Sequence, residues 1–495
     1  MAKSFIHYRS IKGAVYASVC TPQKIKGKKD NQEQYLGRVI DKEKGIYRNR
    51  ERGTFSYSLN HGYATYEPMT NTEERLILNF GDSYVLHSIL ERHGFWALFS
   101  SALPAHKDTL CAMLLYRVLR GGASCYAADW WEGSYTRMLC PNAKLASQRI
   151  SEFFKELGNE KVQRDFFPRY LSMVSEGQKN HGILVDSTGM PNDIQFPFTA
   201  VNNHNGVISN ETRLILVVDR ITGLPLLYRY AAGNIVDVTT LKSTILELNA
   251  YGVNVDFSIL DAGYYSEKNV KALYNDNIRF ITRLKPNLKT YKNLVAGNIG
   301  DLESACNAVF YRDRLLYIKR VEFELFERTA YAYIAIDYQR RHDETYAYIK
   351  KALEGKKLNP DAIDSNTKTK GMFVIISSEQ VEAAEILPLY YTRQAIEQAF
   401  DIYKNNADLV PIRTHGEETF RGHLMLSFLS TIALMQVNRL LDGIKYSAEG
   451  AFRTLNNLMC KVFDDKILVK EATKKENDIA SHLDIELPLL LPTVV

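Results

Sequence analysis

Four polar residues recur along one stretch of the chain: Tyr390, Arg393, Glu397 and Lys404. Between Pro388 and the Asn405-Asn406 pair nothing breaks a helix, so the stretch is expected to be helical. At about 100° per residue the four side chains fall at roughly 0°, −60°, −20° and −40°, one narrow stripe. Ala395, Ile396, Ala399 and Tyr403 lie opposite as a packing face. A phenol, a guanidinium, a carboxylate and an ammonium on one stripe suit a metal ion held beside phosphates. A solvated helix with an ordinary Arg393–Glu397 pair, worth about 0.2–0.5 kcal/mol, explains the middle of the stripe only.

Two acids upstream carry the argument further. Asp186 closes the apolar run Ile183-Leu-Val, and Asp261 closes Val255-Asp-Phe-Ser-Ile-Leu. Singly, an Asp at such a place is most often a turn or cap residue. An acid at the carboxyl end of a strand in an open α/β sheet also points into the usual ligand crevice. Asp186, Asp261 and Glu397 together can hold two divalent ions about 3.5–4 Å apart, the arrangement used for in-line attack on a phosphodiester. All-oxygen ligands suit Mg²⁺ or Mn²⁺ rather than zinc. Asp401 lies near the same stripe and rivals Glu397 on geometry alone.

The elements that must position these residues follow from periodicity. Residues 179–286 read as three strands with hairpin connections, then helix, strand, helix and strand, the order of an RNase H-like mixed sheet with helices on both faces. Residues 287–370 are rich in β-branched and aromatic residues and read as a β-rich insertion. The core resumes over 371–440, and 441–495 reads as a C-terminal helical region. Ahead of the core, 1–84 is a basic module of short strands with the turns Lys24-Ile-Lys-Gly-Lys-Lys and Arg48-Asn-Arg-Glu-Arg-Gly. Such a module could touch DNA backbone or simply stay solvated. Residues 85–178 are helical; in the helix over 143–158, Ala146, Ile150, Phe153, Phe154 and Leu157 form the buried stripe. Lys144, Ser147, Gln148 and Arg149 near its start are placed as a recognition helix presents side chains to a groove, although a plain amphipathic helix reads the same way.

The 495 residues carry a net charge of +5, with 13 Lys and Arg against 5 Asp and Glu in residues 1–60. That local surplus fits a polyanionic partner. The six cysteines are scattered without zinc spacing, which excludes a disulfide framework and points to a reducing compartment. The start lacks the apolar core of a signal peptide, and the apolar run over 424–435 is too short to span a bilayer. A cytoplasmic protein without membrane contact is expected.

The set Asp186, Asp261, Glu397 resembles the catalytic triad of DDE transposases, and Tyr390-x2-Arg393-x3-Glu397-x6-Lys404 matches the YREK signature of the insertion-sequence-four family. Ile259-Leu-Asp-Ala-Gly-Tyr-Tyr-Ser, Phe280-Ile-Thr-Arg-Leu-Lys-Pro, Pro411-Ile-Arg-Thr-His and Arg421-Gly-His-Leu add to the likeness, which covers about residues 180–440. The resemblance implies that the triad binds two Mg²⁺ or Mn²⁺ ions while Tyr390, Arg393 and Lys404 hold phosphates, with Arg283 and Lys285 as further candidates for the same groove. It implies cut-and-paste movement of an insertion sequence: cleavage at terminal inverted repeats, a hairpin on the flank, and joining of the 3′ ends to target DNA by a homodimer. A non-mobile nuclease on the same fold, a repressor with a decayed site and a carboxylate-pair glycosidase are the alternatives; the last leaves the Tyr/Arg/Lys stripe unexplained.

Overall fold

The computed structural model describes residues 4–11, 13–25, 28–50, 52–65, 76–191, 199–204, 207–233, 240–354, 367–403 and 416–493. Lys404 and the 411–415 motif lie outside them.

The N-terminal strands are β1 (Phe5–Ile11), β2 (Ala14–Ile25), β3 (Lys28–Asp41), β4 (Ile46–Asn49), β5 (Gly53–Ser58) and β6 (Gly62–Thr65), paired in chain order as an antiparallel sheet. Alternation sorts Ala17, Val19, Leu36, Tyr47 and Phe55 into a small core of their own. This sheet ends at Thr65, short of the boundary at residue 84 expected for an N-terminal module. The next strand, β7 (Leu76–Asn79), pairs elsewhere.

The central sheet contains β8 (His181–Pro191), β9 (Ala200–His204), β10 (Val207–Asp219), β11 (Pro225–Ala232), β12 (Val255–Leu260), β13 (Arg279–Arg283), β14 (Ala308–Tyr311), β15 (Arg314–Leu325), β16 (Arg328–Asp337) and β17 (Met372–Ser377). Its order is β11-β10-β8-β12-β13-β17-β16-β15-β14, with β9 beside β10. β8, β12 and β13 run parallel, whereas β10 is antiparallel to both β8 and β11. Leu214, Ile215, Leu216, Val217 and Val218 of β10 are all buried, as are all six residues of β17. Continuous apolar runs of this kind belong to strands covered on both faces. The β10–β11 turn is fixed by Asp219, whose Oδ1 accepts the backbone N–H groups of Ile221 and Thr222, and by Gly223 at φ +71°.

Two sequence expectations change here. The β-rich stretch is not a separate sheet: β17 runs antiparallel to both β13 and β16, so β14–β16 extend the central sheet beyond β13. The C-terminal region is not purely helical either, because β18 (Met459–Val462), β19 (Lys466–Val469) and β20 (Leu490–Pro492) form a four-stranded antiparallel sheet with β7. Strands of three or four residues give too little alternation to be read from pattern alone.

Helices Leu241–Ala250 and Glu267–Asn275 pack on β12 and β13, and helix Gln394–Asp401 packs on β8 and β10. Helix Glu417–Leu440 packs on β11 and crosses helix Ser147–Leu157 at close range. The crossing needs glycine: a Cβ at Gly422 would run into the carbonyl of Phe154, and one at Gly158 into that of Glu418. Next to it, the Phe154 ring stacks on His423 with centroids 3.6 Å apart. Helix Ser147–Leu157 starts later than its pattern predicts, leaving Ala146 extended and exposed, while Ile150, Phe153, Phe154 and Leu157 are buried as expected. Among the described residues no helix is long and apolar enough to cross a membrane.

Candidate active site

Asp186 does not end its strand, because β8 runs on to Pro191. It stands instead where the parallel pairing with β12 stops: Leu260 lies opposite Val185, and Asp186 and Asp261 are the next residues of the two chains. Past that point β12 gives way to a turn, which Asp261 caps by accepting the Gly263 N–H at 3.3 Å. The Asp186 carboxylate accepts the Ser187 N–H at 2.8 Å, and Ser187 Oγ in turn accepts from Arg213 at 3.2 Å. Two adjacent parallel strands thus deliver two carboxylates to one place, as the sequence predicts.

What joins them is Arg393. Its Nη2 donates to Asp186 Oδ2 at 2.7 Å, and its Nη1 donates to Asp261 Oδ1 at 2.8 Å and to the Tyr390 hydroxyl at 3.1 Å. Such charge-assisted bonds are the strong kind. Arg393 and Asp186 are largely buried, at 13% and 18% side-chain exposure, whereas Asp261 is 40% exposed. Burial pushes the Asp186 carboxyl up to about 6; Arg393 pulls it down and the neighbouring Asp261 pushes it up. Burial works against the Arg393 charge, but Tyr390, Asp186 and Asp261 outweigh it and raise its pKa. Burial likewise raises the phenol of Tyr390, which is 4% exposed.

The single helix expected over this stretch is two. Ile386–Tyr391 and Gln394–Asp401 meet at Thr392-Arg393, where Ala395 and Ile396 bond back only three residues, to Thr392 and Arg393. A turn wound this tightly advances by more than 100° per residue, so the stripe computed for a uniform helix does not hold beyond it. Arg393 and Tyr390 face the aspartates. Glu397 is exposed and is not gathered with them, since among the described residues no three His, Cys, Asp or Glu are placed to hold a metal ion. Asp401 is exposed as well, while Ile396, Ala399 and Tyr403 are buried as predicted. The triad read from the sequence is present in this arrangement as a pair with a cation between its members.

Arg283, at the end of β13, lies over the Phe373 ring at 5.4 Å and acts electrostatically on Tyr390, so it does border the site. Arg149 is exposed in the first turn of its helix and is tied to Glu152 at 2.6 Å. Trp130 and Trp131 pack against the core, the latter donating from its indole to the Cys140 carbonyl at 3.2 Å. Two features escaped the sequence reading: the Arg393 bridge and the Arg213–Ser187 contact. Charge counting could have found the first, since two acids brought together on buried strand ends require a nearby cation.

As a donor set, the aspartate pair fits a divalent ion: both ligands are hard oxygens and both already contact one positive group. The sequence model for the transposase DDE domain matches residues 177–433. No curated protein sequence matches the chain. Among solved structures, a piggyBac transposase synaptic complex with hairpin DNA is similar, at 11% identity and a TM-score of 0.38, over 71% of this chain and 70% of that one. Because the matched DDE domain takes in more than half of the sequence and brackets the bridged aspartates, this chain belongs to the DDE transposases.

Proposed function

We propose that this transposase is of the insertion-sequence-four type, cutting DNA at the ends of its element, passing through a hairpin and joining the freed 3′ ends to target DNA. The observation that carries the reading is the convergence of Asp186 and Asp261, from neighbouring parallel strands, on the one guanidinium of Arg393. The strand order of the central sheet, third-second-first-fourth-fifth for β8, β10, β11, β12 and β13, supports an RNase H-like core.

Asp186 and Asp261 would hold Mg²⁺ or Mn²⁺, with Glu397, rather than Asp401, as the third ligand. Two bound ions would activate the attacking oxygen and stabilise the leaving one. The chain's own residues prepare that seat. Ser187 N–H orients the Asp186 carboxylate, and Arg393 holds it ionised against the burial that pushes its pKa up to about 6. Arg393 has a planar fork that fits phosphate as well as carboxylate, and Tyr390 braces it through its hydroxyl. In this reading Arg393, Tyr390 and Lys404 position DNA phosphates beside the acids, with Arg283 at the border. The duplex partners are the element's terminal inverted repeats and target DNA, held by a homodimer that pairs two ends. Arg149 is proposed to reach DNA from the start of its helix, exchanging Glu152 for phosphate.

The test is cleavage and joining of a duplex that carries the repeats flanking the gene. Glu397→Ala is expected to abolish both reactions while Asp401→Ala retains them; the reverse result assigns the third ligand to Asp401. Cleavage without joined products would favour the nuclease reading.

A further inference from the structure

The two faces of the N-terminal sheet are chemically unlike. One buries the small core of Ala17, Val19, Leu36, Tyr47 and Phe55. On the other, Arg9 stands opposite Tyr16, Tyr16 opposite Arg38, and Arg38 opposite Arg48, a row crossing β1, β2, β3 and β4. Directly opposed residues share a face, and like charges so opposed are destabilising. Arg9, Arg38 and Arg48 are exposed, and among the described residues none is ion-paired to a carboxylate. The β4–β5 turn continues the positive surface with Arg50 and Arg52, the latter lying over the Tyr63 ring at 4.2 Å. Arg38, Arg48, Arg50 and Arg52 line an open cavity of about 1010 Å³, which contains Glu33 as its carboxylate among the described residues; Arg9 lies outside it. The contrast with Arg149 is direct, since that charge is already met by Glu152.

We propose that this arginine face is a second DNA-binding surface, one that grips the phosphate backbone of duplex DNA whatever its sequence. The row from Arg9 to Arg48 crosses three inter-strand steps, about 14 Å. Over that length a duplex presents roughly eight phosphates. The tyrosines favour duplex over single strand. Tyr16 is half-buried, Tyr63 packs against the small core beneath Arg52, and Tyr35 is the exposed ring, whereas a single-strand platform needs several free rings. Their hydroxyls suit phosphate oxygens. The choice of DNA as the polyanion rests on the transposase reading above.

The experiment measures binding of the full-length protein to a random-sequence duplex, without metal, across a range of salt concentrations. For Arg38→Ala/Arg48→Ala the slope of log affinity against log salt is expected to become shallower by about 1.8, with affinity falling on the order of tenfold for any sequence. Arg38→Lys/Arg48→Lys should keep the slope. The melting temperature of the alanine pair should not fall, because a repulsion has been relieved. An unchanged slope and affinity would overturn the proposal, and so would a loss confined to single-stranded DNA. Neither the duplex nor the buffer allows end cleavage, so failure here leaves the catalytic reading standing, and failure of cleavage leaves this surface standing.

Discussion

Arg393→Ala removes the one cation shared by two carboxylates at 2.7 and 2.8 Å. Taking one partner from a buried ion pair costs about 3–5 kcal/mol. Asp261 is 40% exposed and water can replace its partner, so the cost falls mainly on Asp186 and is about 2 kcal/mol at pH 8. The sign with pH follows from Asp186, whose folded value of about 6 lies above that of an unfolded aspartate. The folded state therefore keeps this proton longer, and stability is lost as pH rises through roughly 4 to 6. Without Arg393 the folded value moves higher still, so the variant goes on losing stability above pH 6 while the parent does not. Melting in the presence of a chelator reads this directly. The variant should melt roughly 2–4 °C below the parent at pH 8, and less than half as far below at pH 5. An equal deficit at both pH values, or none at pH 8, would refute the assignment of Arg393 as the counter-ion of Asp186.

The same variant should respond more strongly than the parent to divalent ions. Mn²⁺ is expected to raise the melting temperature of Arg393→Ala by several degrees more than that of the parent, because no guanidinium has to be displaced; equal shifts in both proteins would contradict the shared seat. Gly422→Ala tests the helix crossing. Its Cβ would meet the Phe154 carbonyl, so at least about 3 kcal/mol of destabilisation and a sharp loss of soluble protein are expected, and a parent-like melting curve would show that the crossing is looser than described.

The core was legible because its strands are long and apolar on both faces. The runs ending at Val185 and Leu260 declared themselves as neighbouring strands, with an acid following each. The packing side of the 394–403 stretch was legible for the same reason, since Ile396, Ala399 and Tyr403 keep helical spacing. The turn at Thr392-Arg393 was not, because nothing in those residue types distinguishes three-residue from four-residue hydrogen bonding. That turn breaks the uniform helix assumed for the stripe, with Arg393 bonded to both aspartates and Glu397 exposed. β14–β16 were recognised as strands, but no local pattern says that β17 will pair on both sides and join them to the core sheet. Partner choice in a sheet is a long-range property. The C-terminal sheet failed on length, β18 and β19 having four residues each.

The central claim is that Asp186 and Asp261 form the reactive acid pair of this transposase. It is tested most directly by single-turnover cleavage of a duplex bearing the repeats that flank its gene, with saturating Mg²⁺, comparing the parent with Asp186→Asn and Asp261→Asn. Both variants keep the shape of the side chain and should bind the duplex as the parent does. The account predicts that each loses cleavage entirely. Cleavage near the parent rate in either variant, with binding intact, would contradict it.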